Sequence, residues 1–121
     1  MTEMLRNILW VAAGGAMGSV GRYLVSRWIT ATFPWATFTV NIVGSLLIGL
    51  LVGLASKEAL SPEMRLLLVT GFCGGFTTFS TFANETYGML DGGHILTTAL
   101  YVSASVFAGI LAVYIGLQLT R

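Results

Sequence analysis

Charged positions divide this chain into long apolar blocks. No Asp, Glu, Lys or Arg falls within residues 28–56, 66–84 or 92–120. A membrane-spanning helix needs about 20 mostly apolar residues, and each block supplies one. The N-terminal region supplies a fourth, interrupted by Arg22 and Arg27. The pattern predicts four transmembrane helices, at about residues 5–30, 37–55, 65–90 and 95–119, in one domain covering residues 1–121. The breaks between them carry their own chemistry. "TATFPWAT" stops at Pro34, with Phe33 and Trp35 suited to the interfacial belt. "SKEALSPEMR" is the most polar connection, and Ser61-Pro62 reads as a helix start with proline in the first position. "LDGGHI" is a Gly-Gly turn. Gly14/Gly18, Gly49/Gly53 and Gly71/Gly75 are small residues four apart, a spacing that lets helix backbones approach closely.

Composition agrees with an integral membrane protein. Of 121 residues, 55% are hydrophobic and 9% are charged, against about 25% charged in soluble domains. A net charge of +1 with no basic patch gives no sign of nucleic-acid binding. The N-terminus carries Glu3 and runs into apolar sequence too long for a cleavable signal. Cys73 is the only cysteine, so no intrachain disulfide forms. Four spans place both termini on one side, with Arg6, Lys57, Arg65 and Arg121. Arg27 and Arg22 fall toward the other. The positive-inside rule then favours cytoplasmic termini by a thin margin, and insertion in both directions remains open. One four-helix bundle fills its own centre with side chains, so a transport path would lie at a subunit interface.

Residues 71–85, "GFCGGFTTFSTFANE", do not look like an ordinary span. Phe72, Phe76, Phe79 and Phe82 are spaced four, three and three, which puts them on one face of a continuous helix. Gly74-Gly75, Thr77-Thr78 and Ser80-Thr81 undermine that continuity, since each interior glycine costs about 1 kcal/mol relative to alanine. A break in lipid survives where the freed backbone groups face protein, an ion or water. Carbonyls freed together would hold a hard cation through oxygen alone. The competing reading is a continuous helix whose glycines pack against a neighbour.

Other polar residues lie at membrane depth. Asn41 needs a partner there: either another helix, as packing glue, or a solute that takes its NH2 donors. Arg22 either snorkels to the interface or lines a vestibule. Glu85 follows Phe82 by three toward a helix end, and Tyr101 and Ser105 are four apart on the fourth helix, with Gly109 next on that face. Mid-helix carboxylates are missing, and Glu3 is the only acid before Glu58. A small multidrug exporter, which needs a membrane-embedded glutamate in its first helix, therefore fits poorly. An assembly subunit without transport is a third possibility. Amide and hydroxyl donors, with the positive edges of phenylalanine rings, suit a small anion.

These residues resemble the bacterial Fluc family of fluoride channels over nearly the whole chain. "GGAMGSVGRY" is similar to the family's glycine-rich first helix with its arginine, "ATFTVNIVG" to its second-helix motif, "TGFCGGFTTFSTFANE" to its third-helix signature and "ALYVSAS" to its fourth helix. The resemblance implies an antiparallel, dual-topology homodimer in the bacterial inner membrane, with a broken third helix and two pores that export fluoride passively. It implies fluoride contacts at Asn41, Phe79, Phe82, Tyr101 and Ser105. It places Arg22, Thr37 and Glu85 near pore ends or a vestibule. It also implies a structural sodium ion at the dimer centre, held by backbone carbonyls of Gly74 and Thr77. Some members carry a further serine where this chain has Gly109, which leaves the length of the hydroxyl ladder open.

Overall fold

A computed structural model describes all 121 residues, and it is helical throughout. Helix α1 is Thr2–Trp28 and α2 is Trp35–Ser56. The third span, Pro62–Asp91, is divided. Its first part, α3, covers residues 62–76 and ends in the single turn Gly74–Phe76. Its second part, α4, is Phe79–Asp91. Helix α5 is Ile95–Thr120. All four spans are long and apolar enough to cross a membrane. The expected boundaries shift by a few residues, as helix ends commonly do.

The connections form as their residues dictate. Pro34 precedes the first residue of α2. Ser61 caps α3, its hydroxyl accepting from the Met64 N–H at 3.1 Å, with Pro62 in the first turn where no N–H is needed. Gly93 takes φ +82° in the turn before α5, a conformation that disfavours any residue with a Cβ. Within α3, Leu66–Cys73 winds as a π-helix, an uncommon form often found beside functional sites.

Glycine contacts organise the bundle into two tight helix pairs. Helix α1 meets α3 through Gly14, Gly18, Gly71 and Gly75. A Cβ on Gly18 would stand 2.8 Å from the Phe76 nitrogen, and one on Gly75 2.6 Å from the Gly15 carbonyl oxygen. Helix α2 meets α5 through Gly49 and Gly116. A Cβ on Gly116 would stand 2.5 Å from the Leu46 carbonyl oxygen and 2.6 Å from the Leu50 nitrogen. Lipid supplies no hydrophobic force between helices, so this backbone contact is what holds the pairs. The Gly14/Gly18 and Gly71/Gly75 motifs thus face each other. Gly53 packs instead against Thr120, whose hydroxyl donates to the Leu50 carbonyl at 2.8 Å. Only 14 of 121 residues are buried, so most apolar side chains lie on the outside, as a lipid environment or a partner subunit requires.

These contacts separate two kinds of glycine. Gly116→Val should displace the α2–α5 pair and cost about 1–3 kcal/mol, seen as a lower melting temperature of the purified protein. Gly88, inside α4, has nothing within 4 Å of an added Cβ. Gly88→Ala should be neutral or stabilising by up to about 1 kcal/mol. Equal destabilisation by both would contradict this packing.

Candidate functional site

The third span breaks at Thr77 and Thr78. Both are extended, with φ/ψ of −83°/157° and −149°/116°. This excludes the continuous helix. It also corrects the single phenylalanine face: the four rings fall into two pairs on either side of the break. Phe72 and Phe76 stack with centroids 5.5 Å apart. Phe76 is buried, its ring against Gly21 of α1 and Gly44 of α2. Phe79 and Phe82 lie beyond the break, 6.0 Å apart, and Phe79 is 80% exposed.

Side chains from two other helices satisfy the broken backbone. Asn41 of α2 pairs with the Thr78 peptide at both ends: its Oδ1 accepts from the Thr78 N–H at 2.8 Å, and its Nδ2 donates to the Thr78 carbonyl at 3.2 Å. The reverse amide orientation would face donor to donor, so this pairing sets the orientation of the group. One Nδ2–H remains without a protein partner. Asn41 therefore is interhelical glue, and it still has one donor to offer. Arg22 of α1 donates from Nε to the Gly75 carbonyl at 3.0 Å. It does not simply snorkel; it satisfies a carbonyl at the break.

The break also releases two particular carbonyls. In an uninterrupted helix the Thr78 N–H would donate to Gly74, and the Thr81 N–H to Thr77. Here the first donates to Asn41 and the second to the Thr78 hydroxyl, at 3.2 Å. Gly74 is exposed, with nothing within 4 Å of an added Cβ. The structure has no cluster of three or more His, Cys, Asp or Glu suited to a metal. A cation held here would be a hard one, bound through backbone oxygen.

An open groove of about 520 Å³ lies along this region. Asn41, Ser45, Thr70, Thr77, Thr78 and Phe79 are among its lining residues. A smaller cavity of about 260 Å³ includes Arg22, Ser26, Thr37, Thr78 and Thr81. Toward the other end of α4 the Glu85 carboxylate gathers a polar cluster. It accepts from Thr37 Oγ1 at 3.0 Å and from the Tyr101 hydroxyl at 3.1 Å. Phe82 lies 5.1 Å from the Tyr101 ring. Thr37 and Tyr101 are buried, at 5% and 1% exposure. Ser105 lies one turn along α5 from Tyr101, and its hydroxyl is buried with no partner in the chain. An orphaned buried hydroxyl costs roughly 1–3 kcal/mol, so it asks for a ligand or water. At Gly109 an added Cβ would stand 3.6 Å from Ser45 Oγ, so a hydroxyl from α2 borders that gap.

The expected site residues therefore fall into neighbouring groups. Asn41, Gly74, Thr77 and Phe79 share the groove, while Thr37, Phe82, Glu85 and Tyr101 form the polar cluster. Arg22 belongs to the smaller cavity, and Ser105 stands alone. Ser45, Gly75, Thr78 and Thr81 were missed as site residues.

Comparison with known proteins settles the lineage. The model of the family described as "CrcB-like protein, Camphor Resistance (CrcB)" matches residues 9–117. The chain belongs to the CrcB family. Its relatives include proteins named fluoride-specific ion channel FluC. One from Chlorobium chlorochromatii is 50% identical, covering 100% of this chain and 97% of the relative. One from Agrobacterium fabrum is 51% identical over 95% of this chain and 96% of the relative. One from Flavobacterium psychrophilum is 45% identical over 97% and 98%. The resemblance drawn from residues 71–85 and the flanking motifs is thus borne out, and CrcB proteins are channels, not enzymes.

The Arg22 bond has a measurable consequence. Arg22→Leu keeps an apolar stem but leaves the Gly75 carbonyl without its charged donor. It should lower stability by about 1.5–3 kcal/mol, seen in thermal unfolding of the purified protein. An unchanged midpoint would mean that the arginine only snorkels.

Proposed function

We propose that this chain is the subunit of a passive, fluoride-selective channel that lets fluoride leave the cytoplasm. The observation that carries the reading is 45–51% identity, over nearly the full length, to channels named fluoride-specific. The site chemistry supports it. The free Nδ2–H of Asn41, the hydroxyls of Thr37 and Tyr101 and the orphaned Ser105 hydroxyl are donors, as a small hard anion requires. Two of these donors already meet the Glu85 carboxyl group, Thr37 at Oε2 and Tyr101 at Oε1. Phe79 and Phe82 would present ring edges, which are positive, to the passing ion. Thr37 and Glu85 would sit at a pore end and Arg22 in a vestibule.

The working unit in this proposal is an antiparallel, dual-topology homodimer with two pores in the bacterial inner membrane. The exposed Phe79, the open groove and the exposed Gly74 favour a second copy on this face. Gly74 and Thr77 carbonyls from both copies would then hold a structural sodium ion at the dimer centre. Such an ion would raise the local potential for anions. No energy source beyond the membrane potential is needed. Fluoride enters acid-exposed cells as neutral HF, dissociates, and is expelled with about 2.3 kcal/mol per charge per 100 mV.

Efflux from liposomes tests the proposal. The parent protein should release fluoride, and Asn41→Asp, which replaces donors with a negative charge, should abolish release without preventing assembly. Phe79→Ile and Phe82→Ile keep the apolar bulk but lose the aromatic edge. Each should slow efflux about tenfold or more, equivalent to losing about 1.4 kcal/mol along the path. Parent-like efflux from both isoleucine variants would make the rings ordinary packing. Proton-coupled cation efflux, or none of any kind, would overturn the channel reading.

A further inference from the structure

We propose that Asn41 is a positioning residue for the cation site as well as a donor to the anion, so that one side chain couples the two ions. The inference rests on the reading of Gly74 and Thr77 as cation-holding carbonyls. Asn41 is bonded to the break at both ends of a single residue, through the Thr78 N–H at 2.8 Å and the Thr78 carbonyl at 3.2 Å. The first of these bonds is the one that matters for the cation. The Thr78 N–H is the group that would otherwise donate to the Gly74 carbonyl and continue the helix. By holding that N–H, Asn41 keeps Gly74 oxygen available.

Removing the amide reverses this. The Thr78 N–H would be left without a partner in a part-buried position, which is costly. The nearest helical remedy is a return of Thr78 from its extended φ of −149° toward helical values, with the N–H donating again to Gly74. The helix would heal over the break, and the cation would lose an oxygen. Thr77 is released separately, because the Thr81 N–H turns to the Thr78 hydroxyl. The same clasp fixes the plane of the Asn41 amide and therefore the direction of its one free N–H. By linkage, a cation that favours the open break also favours the amide orientation that serves the anion, and the effect is reciprocal.

The test compares sodium affinity with fluoride flux in three purified proteins. Sodium affinity is read from the rise in melting temperature as sodium replaces choline, since a ligand of the native state stabilises it by an amount set by its concentration relative to its dissociation constant. The parent should be stabilised by sodium. Asn41→Ala should need about tenfold more sodium for the same rise, the effect expected when the bond that holds the Thr78 N–H away from Gly74 is lost. Ser105→Ala, which touches no part of the break, should lose fluoride flux while keeping the parent's sodium dependence. Parent-like sodium dependence in Asn41→Ala would overturn the coupling and leave the proposed cation site intact. A parent indifferent to sodium would overturn both. Should Asn41→Ala fail to fold, hydrogen exchange of the Thr78 amide in the unmodified protein decides. Slow exchange supports the clasp, and exchange at the rate of a free amide refutes it.

Discussion

The two hydrogen bonds between the Asn41 amide and the Thr78 peptide hold the third span open, and much of the site follows from that opening. A helix broken in lipid must find partners for every backbone group it frees. Asn41 takes the N–H and carbonyl of Thr78, Arg22 takes the carbonyl of Gly75, and the Thr78 hydroxyl takes the Thr81 N–H. Gly74 and Thr77 are left with carbonyls whose helical donors have gone elsewhere. An opening braced by side chains of two other helices is a built feature, and the two carbonyls it releases are its product.

The surrounding architecture keeps that opening in place. Arg22 reaches Gly75 only because α1 lies against α3, and that approach depends on Gly18 and Gly75, where a Cβ would meet backbone within 3 Å. Asn41 reaches Thr78 from α2, which α5 fixes through Gly49 and Gly116. Each clasp thus belongs to a different helix pair. The buried Phe76 ring lies between them, touching the positions of Gly21 and Gly44. Beyond the break, α4 carries Glu85 to the hydroxyls of Thr37 and Tyr101, which joins α2, α4 and α5 through one carboxylate. The polar groups at membrane depth are therefore mostly bonded to each other. Among the fully buried side-chain polar atoms, the Ser105 hydroxyl is the one without a partner.

Much of this was legible in the sequence where the signal was local. Uncharged blocks of membrane length mark the four spans, and Gly74-Gly75 with Thr77-Thr78 marks the place of the break. What stayed hidden depends on contacts distant in sequence. Asn41 and Thr78 are 37 residues apart, and Arg22 and Gly75 are 53 apart. In both cases the partner is backbone, which carries no residue signature. The phenylalanine spacing misled for a related reason, since helical periodicity predicts one face only while the helix continues. Gly116 has no glycine four residues away to flag it. It is needed because α5 approaches the Leu46 and Leu50 backbone of α2.

In the proposed homodimer the opened stretch would face a second copy of the chain, where its released carbonyls would be used. Cysteine cross-linking tests this directly. Gly74 has open space for a side chain, and Cys73→Ala removes the native thiol beside it. In that background, Gly74→Cys in membranes should oxidise to a covalent dimer that reductant reverses, because the proposed antiparallel pair would bring the two positions together. Phe107→Cys, on an exposed part of α5, serves as the comparison. A dimer formed through residue 107 and none through residue 74 would place the partner elsewhere and contradict the account.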